Sequence, residues 1–155
     1  RFSPLINSLY DFVDSGRKLL GICNGFQILT ESGFLPGVLS TNKHLDFLCG
    51  DVDLKILSTK GGWFPNDKEK SHITLPIAHG EGRYYCDQET YKELLDNDLI
   101  ALKYLKNPNG SAWDIAGITN LNGNVLGLMP HPERACDKAV GGLDGLFTLK
   151  SLLEN

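Results

Sequence analysis

The chain has 155 residues, 41% hydrophobic and 22% charged, with 15 basic against 19 acidic side chains and a formal net charge of -4. That balance fits a globular domain with a sizeable core and excludes an intrinsically disordered chain. An acidic pI near 5.5 without any Lys/Arg cluster argues against nucleic-acid binding, and no apolar run is long enough to span a bilayer. Cys23, Cys49, Cys86 and Cys136 are widely spaced with no C-x-x-C pair. They read as free thiols of a cytoplasmic protein.

In chain order, Ser3-Pro4 reads as a helix start, a capping hydroxyl before a proline at the first helical position. Leu5, Ile6, Leu9, Phe12 and Val13 fall on one face, and Gly16 supplies the stop. Lys18 to Ile22 reads as a buried strand, Phe26 to Ser32 as a helix, and Leu35-Pro36-Gly37 as a turn. Strand pairing is expected from about Asp51, followed by a polar, glycine-rich excursion from Ser58 to Ser71. Pro76 interrupts the apolar run Ile73 to Ala78, which makes it an edge strand. His79 to Arg83 reads as a flexible polar loop.

Glu89 to Asp96 reads as a short helix with Tyr91, Leu94 and Leu95 on one side, and Ile100 to Leu105 as a strand. Asn107 to Gly110 is a turn by composition. Ile115 to Thr119 and Val125 to Met129 read as a hairpin across Asn122-Gly123. A last helix is expected to carry Leu143, Leu146, Phe147 and Leu153. With no repeat or linker, residues 1–155 read as one α/β domain, a central sheet with helices on its faces.

The chemistry-bearing stretch is Gly21-Ile22-Cys23-Asn24-Gly25-Phe26-Gln27. A cysteine between two glycines, after an apolar strand and before a helical pattern, is the layout of a nucleophile elbow. The glycines would admit close backbone approach, and the helix N-terminus would favour thiolate. A cysteine nucleophile needs a group that takes and returns protons. Of His44, His72, His79 and His131, the last stands out, since it follows a strand between two prolines with Glu133 two residues on. In an extended segment both side chains lean to one side, so the carboxylate could orient the imidazole. No His/Cys/Asp group has metal-ligand spacing.

These motifs resemble the class I (triad) glutamine amidotransferases, with their G-x-C-x-G-x-Q elbow and Cys-His-Glu triad. The further stretches Ala78 to Tyr85, Asn107 to Ser111 and Met129 to Arg134 resemble the glutaminase subunits that serve de novo purine synthesis. The resemblance runs from near residue 3 to near residue 134. It implies a flavodoxin-like fold with a central, mostly parallel sheet flanked by helices. It also implies hydrolysis of L-glutamine by Cys23, His131 and Glu133, with ammonia passed to a synthetase subunit that aminates formylglycinamide ribonucleotide. No cofactor or metal is expected in this chain, because ATP and Mg belong to the synthetase. A small accessory subunit is a further expected partner.

Carried over by position, the Asn24 amide would be an oxyanion donor and Gln27 would meet the substrate. Asn109, Gly110 and Ser111 would cradle its α-amino and α-carboxyl groups. His79 and Arg83 would lie at the entrance or partner face, with a salt-bridged surface loop as the alternative. Family members place a strand, a helix, another strand and a glycine-rich oxyanion loop before the helix that starts here at Pro4. The chain opens on Arg1 instead, so it reads as N-terminally truncated, with those strands absent and weak activity in isolation. Another class I amidotransferase, a silent partner-binding module of the same fold and a cysteine peptidase are the competing readings.

Overall fold

The computed structural model describes residues 4–66 and 71–153. Helix α1 (Pro4–Asp14) leads into β1 (Leu19–Ile22), helix α2 (Asn24–Glu31), β2 (Val38–Thr41) and β3 (Leu48–Ile56). Then come β4 (His72–His79), β5 (Glu81–Tyr85), helix α3 (Gln88–Asp96), β6 (Ile100–Tyr104), β7 (Ile115–Thr119), β8 (Val125–Leu128) and a short α4 (Leu146–Lys150). Six strands form one sheet in the order β1-β8-β7-β6-β3-β4, and β2 pairs with β5 in a separate ribbon.

The α/β class is as expected, with one narrowing. Among the described residues the sheet is mixed, and its parallel pairing is confined to β1 and β8. Hairpin-type connections such as 120–124 impose antiparallel neighbours, whereas a parallel pair needs a crossover. Strand alternation sends Val125 to one face of β8 and Leu126 and Leu128 to the other, so each face has its own core. Phe26, Leu29 and Leu94 cover one face; Trp63, Phe64 and Ala135 help cover the other.

In α1, Ile6, Leu9 and Phe12 are half-buried and Val13 buried, while Leu5 points outward. Tyr10 stacks on Phe34 with ring centroids 4.3 Å apart. Gly16 ends the helix at φ 84°, a left-handed conformation that suits glycine; the expected Ser3 cap lies outside the described residues. In α3, capped by Asp87 Oδ1 accepting from Thr90 N–H at 2.8 Å, Leu94 is buried but Leu95 faces outward. The last helix is shorter than expected, and both Leu143 and Leu153 lie beyond its ends. Gly145 fixes where it begins, because its N–H donates to Ala135 O and a Cβ there would sit 2.0 Å from Pro132 O.

The expected edge strand is β4, and β3 begins at Leu48, ahead of Asp51. The expected loop at His79–Arg83 is instead the end of β4, Gly80 and the start of β5. In β5, Gly82 and Tyr84 are buried while Glu81 and Tyr85 are exposed, an alternation hidden because glycine is one of the inward residues. Its partner β2, not anticipated from sequence, sets Leu39 opposite Tyr84 and Val38 opposite Tyr85.

Candidate active site

β1 carries the chain alongside β8 and delivers Cys23 to the first turn of α2, with Cys23 N–H donating to Leu128 O at 2.9 Å. Cys23 has φ 52° and ψ -107°, a conformation L-residues rarely adopt. It is held by the ladder on one side and the helix on the other, the arrangement of a strained nucleophile elbow. Gly21 meets the close-approach expectation: a Cβ there would lie 2.4 Å from Leu29 Cδ1 and 2.8 Å from the Gly25 carbonyl. Gly25 does not, since a Cβ there would meet nothing within 4 Å.

The thiol is not the ready thiolate that its place at a helix end suggested. Burial pushes its pKa above the ordinary thiol value; the Asn24 backbone N–H and the Arg134 charge pull it down, and Glu133 pushes it up. The balance leaves a thiol that needs a base.

His131 follows β8 on the buried Met129-Pro130 segment, with its N–H donating to Pro76 O at 2.8 Å. The proline-bearing edge strand therefore fixes where the histidine starts. His131 Nδ1 lies 2.6 Å from Glu133 Oε1. The pair is brought together by a 3₁₀ turn over Pro132–Arg134 rather than by extended chain. The other ring nitrogen, Nε2, is buried and has no partner among the described residues. Cys23 and His131 share the wall of a cavity of about 460 Å³ with Asn24, His79, Glu81 and Arg134. A half-buried thiol, an imidazole with a free nitrogen and a carboxylate behind it can carry out nucleophilic acyl transfer.

A model of the CobB/CobQ-like glutamine amidotransferase domain matches residues 1–141. The chain belongs to this glutamine amidotransferase family. It is 72% identical over 153 residues to the phosphoribosylformylglycinamidine synthase subunit PurQ of Prochlorococcus marinus strain MIT 9312, covering 99% of this chain and 69% of that protein. The subunit of the same name from Synechococcus sp. strain CC9605 is 57% identical, with 99% and 70% covered. Among solved structures, PurLQS from Thermotoga maritima matches with a TM-score of 0.85 at 39% identity, covering 99% of this chain and 68% of that one.

Other residues singled out in the sequence are placed differently within this amidotransferase domain. Gln27 is half-buried on α2, donates from Nε2 to Glu31 Oε1 at 3.3 Å, and does not line the cavity. Asn109 and Ser111 are buried in a network of their own. Asn109 Nδ2 donates to Gly82 O (2.7 Å), its Oδ1 accepts from Ser111 N–H and Oγ–H, and Ser111 Oγ accepts from Tyr84 N–H. Gly110 O accepts from Arg83 Nε at 3.0 Å. These contacts tie the 107–111 turn to β5, and the structure does not bring that turn to the cavity wall. Arg83 is half-buried and also off the wall.

His79, by contrast, is buried on the cavity wall, which excludes the surface-loop alternative for it. His44 and His72 are exposed. Cys49 is exposed, Cys86 buried and Cys136 half-buried, all as free thiols. No group of three or more potential metal ligands occurs among the described residues. Sequence reasoning missed Asn42, which bonds to both His79 and Gly82. It lies in a polar stretch whose composition carries no signal of burial. Arg134 carries no signal of its own beyond the Met129–Arg134 motif, and its place on the wall emerges from the turn after His131.

Proposed function

We infer that this chain is the glutaminase subunit of a phosphoribosylformylglycinamidine synthase of purine biosynthesis. The observation that carries the inference is 72% identity across 99% of the chain to a subunit of that name. In this reading, L-glutamine is the substrate, and ammonia passes to a synthetase subunit that converts formylglycinamide ribonucleotide to the amidine with ATP and Mg. A small accessory subunit belongs to the same assembly. The chain's own chemistry calls for neither metal nor cofactor, and its place is the cytoplasm.

His131 Nε2 takes the Cys23 proton, and the thiolate attacks the side-chain carboxamide carbon of glutamine. The tetrahedral oxyanion receives the Asn24 N–H, the donor that follows the nucleophile in an elbow. Collapse breaks the C–N bond, His131 returns the proton to nitrogen, and ammonia leaves a glutamyl thioester on Cys23. His131 then takes a proton from water, the hydroxide attacks the thioester, and glutamate departs as the Cys23 thiol re-forms. Glu133, 2.6 Å from Nδ1, keeps that nitrogen protonated and stabilises the imidazolium. The raised thiol pKa supports this division of labour, since a protonated thiol needs its base close at hand. Residues 109–111 support the site indirectly, through the β5 segment they brace.

The experiment is amination of formylglycinamide ribonucleotide by the assembled synthase, with glutamine or free ammonium as nitrogen source. Cys23→Ala is expected to abolish glutamine-supported turnover while ammonium still feeds the synthetase. Glutamine-supported turnover surviving in that variant would refute the reading.

A further inference from the structure

Asn42 follows β2, is 2% exposed, and has its side-chain amide fully used. Nδ2 donates to His79 O and to Asp46 O, both at 2.8 Å, and Oδ1 accepts from Gly82 N–H at 3.2 Å. Backbone carbonyls only accept and a backbone N–H only donates, so these three contacts decide which end of the amide is oxygen. The fourth contact runs from that oxygen to His79 Nδ1 at 3.0 Å. An oxygen acceptor there requires a hydrogen on Nδ1, and in a neutral imidazole the lone pair then lies on Nε2.

Nε2 of His79 is buried and has no partner among the described residues, although its residue lines the cavity with Cys23 and His131. Desolvation, aided by the nearby His131, lowers the His79 pKa to about 4, so the ring is neutral at neutral pH. The ring also lies hard against Gly82, where a Cβ would sit 2.4 Å from Nδ1. An unpaired buried acceptor costs free energy until something donates to it.

We propose that Asn42 is a positioning residue of the glutaminase site: it locks His79 as the Nδ1–H tautomer so that Nε2 accepts a hydrogen bond from an N–H of bound glutamine. The role assigned to Nε2 rests on the glutaminase reading above; the lock itself rests on the four contacts of one amide. Glutamine offers N–H groups on its carboxamide and its α-ammonium. The same lock holds Gly82 and the start of β5 in place, so one buried amide sets both the ring and its backing.

The test joins a spectroscopic and a kinetic readout. In the ¹⁵N-labelled full chain, imidazole nitrogen shifts are expected to show His79 protonated at Nδ1 and bare at Nε2, and Asn42→Ala is expected to lose that single-tautomer pattern. In the chain assembled with its synthetase, Asn42→Ala is expected to raise the glutamine KM about tenfold, the effect of losing one hydrogen bond, with kcat within about threefold. His79→Asn keeps a donor where Nδ1–H was but has no group at Nε2, so it is expected to match that KM rise. His79→Gln, with an acceptor near the Nε2 position, is expected to recover most of the loss. A role in structure alone would be met by His79→Asn, whose parental KM would overturn the proposal, as would a hydrogen on Nε2 in the parent. Alkylation of Cys23 by iodoacetamide at the parental rate in each variant reports an intact elbow. A parent with the expected tautomer but no glutamine turnover would instead refute the glutaminase reading, and with it the substrate role of Nε2.

Discussion

His131 Nδ1 and Glu133 Oε1 stand 2.6 Å apart with one proline between them in the chain. Glu133 is only partly shielded, at 41% exposure, and its Oε1 also lies 3.7 Å from Arg134 Nε. Its oxygen accepts the imidazole N–H and so sets the orientation and tautomer of the ring. Glu133→Gln preserves the shape but can present an amide N–H to Nδ1, favouring the wrong tautomer. Steady-state kinetics are expected to show kcat for glutamine hydrolysis reduced about a thousandfold with a modest change in KM. A loss under about threefold would mean that His131 is oriented by its prolines alone.

Cys23 should behave as a thiol rather than a thiolate in the absence of substrate. Its pKa is raised by burial beyond what the Asn24 N–H and Arg134 recover, so the unreactive thiol dominates at neutral pH. The iodoacetamide alkylation rate is expected to climb with pH through a midpoint above the ordinary thiol value of 9.0. A midpoint below that value would show that the helix end outweighs burial.

The two elbow glycines should respond differently to a methyl group. Gly21→Ala drives a Cβ to 2.4 Å from Leu29 Cδ1 and 2.8 Å from Gly25 backbone atoms. Overpacking of this kind costs about 1–3 kcal/mol, and rigid backbone on one side places it at the upper end. Gly25→Ala meets open space and is expected to change stability by less than about 0.5 kcal/mol. Urea unfolding midpoints of the two variants check the contrast.

His79 links stability to pH with a definite sign. Its folded pKa of about 4 lies below the ordinary 6.5, so as pH falls the unfolded chain takes up the proton first. The stabilisation is present above about pH 6.5 and is lost as pH falls from there to about 4, a span worth roughly 3 kcal/mol. Unfolding free energy of the parent should therefore fall more steeply across that window than in His79→Gln. Parallel curves would contradict the buried, neutral histidine.

Asn109→Ala should cost stability. The side chain is fully buried, and its removal leaves Gly82 O and the Ser111 N–H and hydroxyl without their partners. Orphaning such groups costs about 1–3 kcal/mol, so thermal unfolding is expected well below that of the parent.

The elbow was legible because its signals are local. An apolar run, Cys23 and a helical pattern lie within a few residues, whereas the parallel pairing of β1 with β8 joins strands about a hundred residues apart and left no local mark. His131 and Glu133 were legible as a pair, although a 3₁₀ turn rather than extended chain brings them together. Residues 79–83 misled because Gly82 carries no hydrophobic mark, and its burial beside the His79 ring appears only when β5 folds against β2. Asn42 was invisible for a related reason. A buried amide that bonds to His79 and Gly82, nearly forty residues away, leaves no trace in its own neighbourhood. The 107–111 turn was recognised as a turn, but composition could not tell which surface it braces.

The most direct measurement is glutamine-dependent ammonia release by the chain assembled with its synthetase, set against Cys23→Ala. The account predicts one ammonia per glutamate from the parent and a loss of at least about a thousandfold in the variant, the scale on which removing a covalent nucleophile acts. Release from Cys23→Ala as fast as from the parent would contradict the assignment of Cys23 as nucleophile and the thioester chemistry built on it.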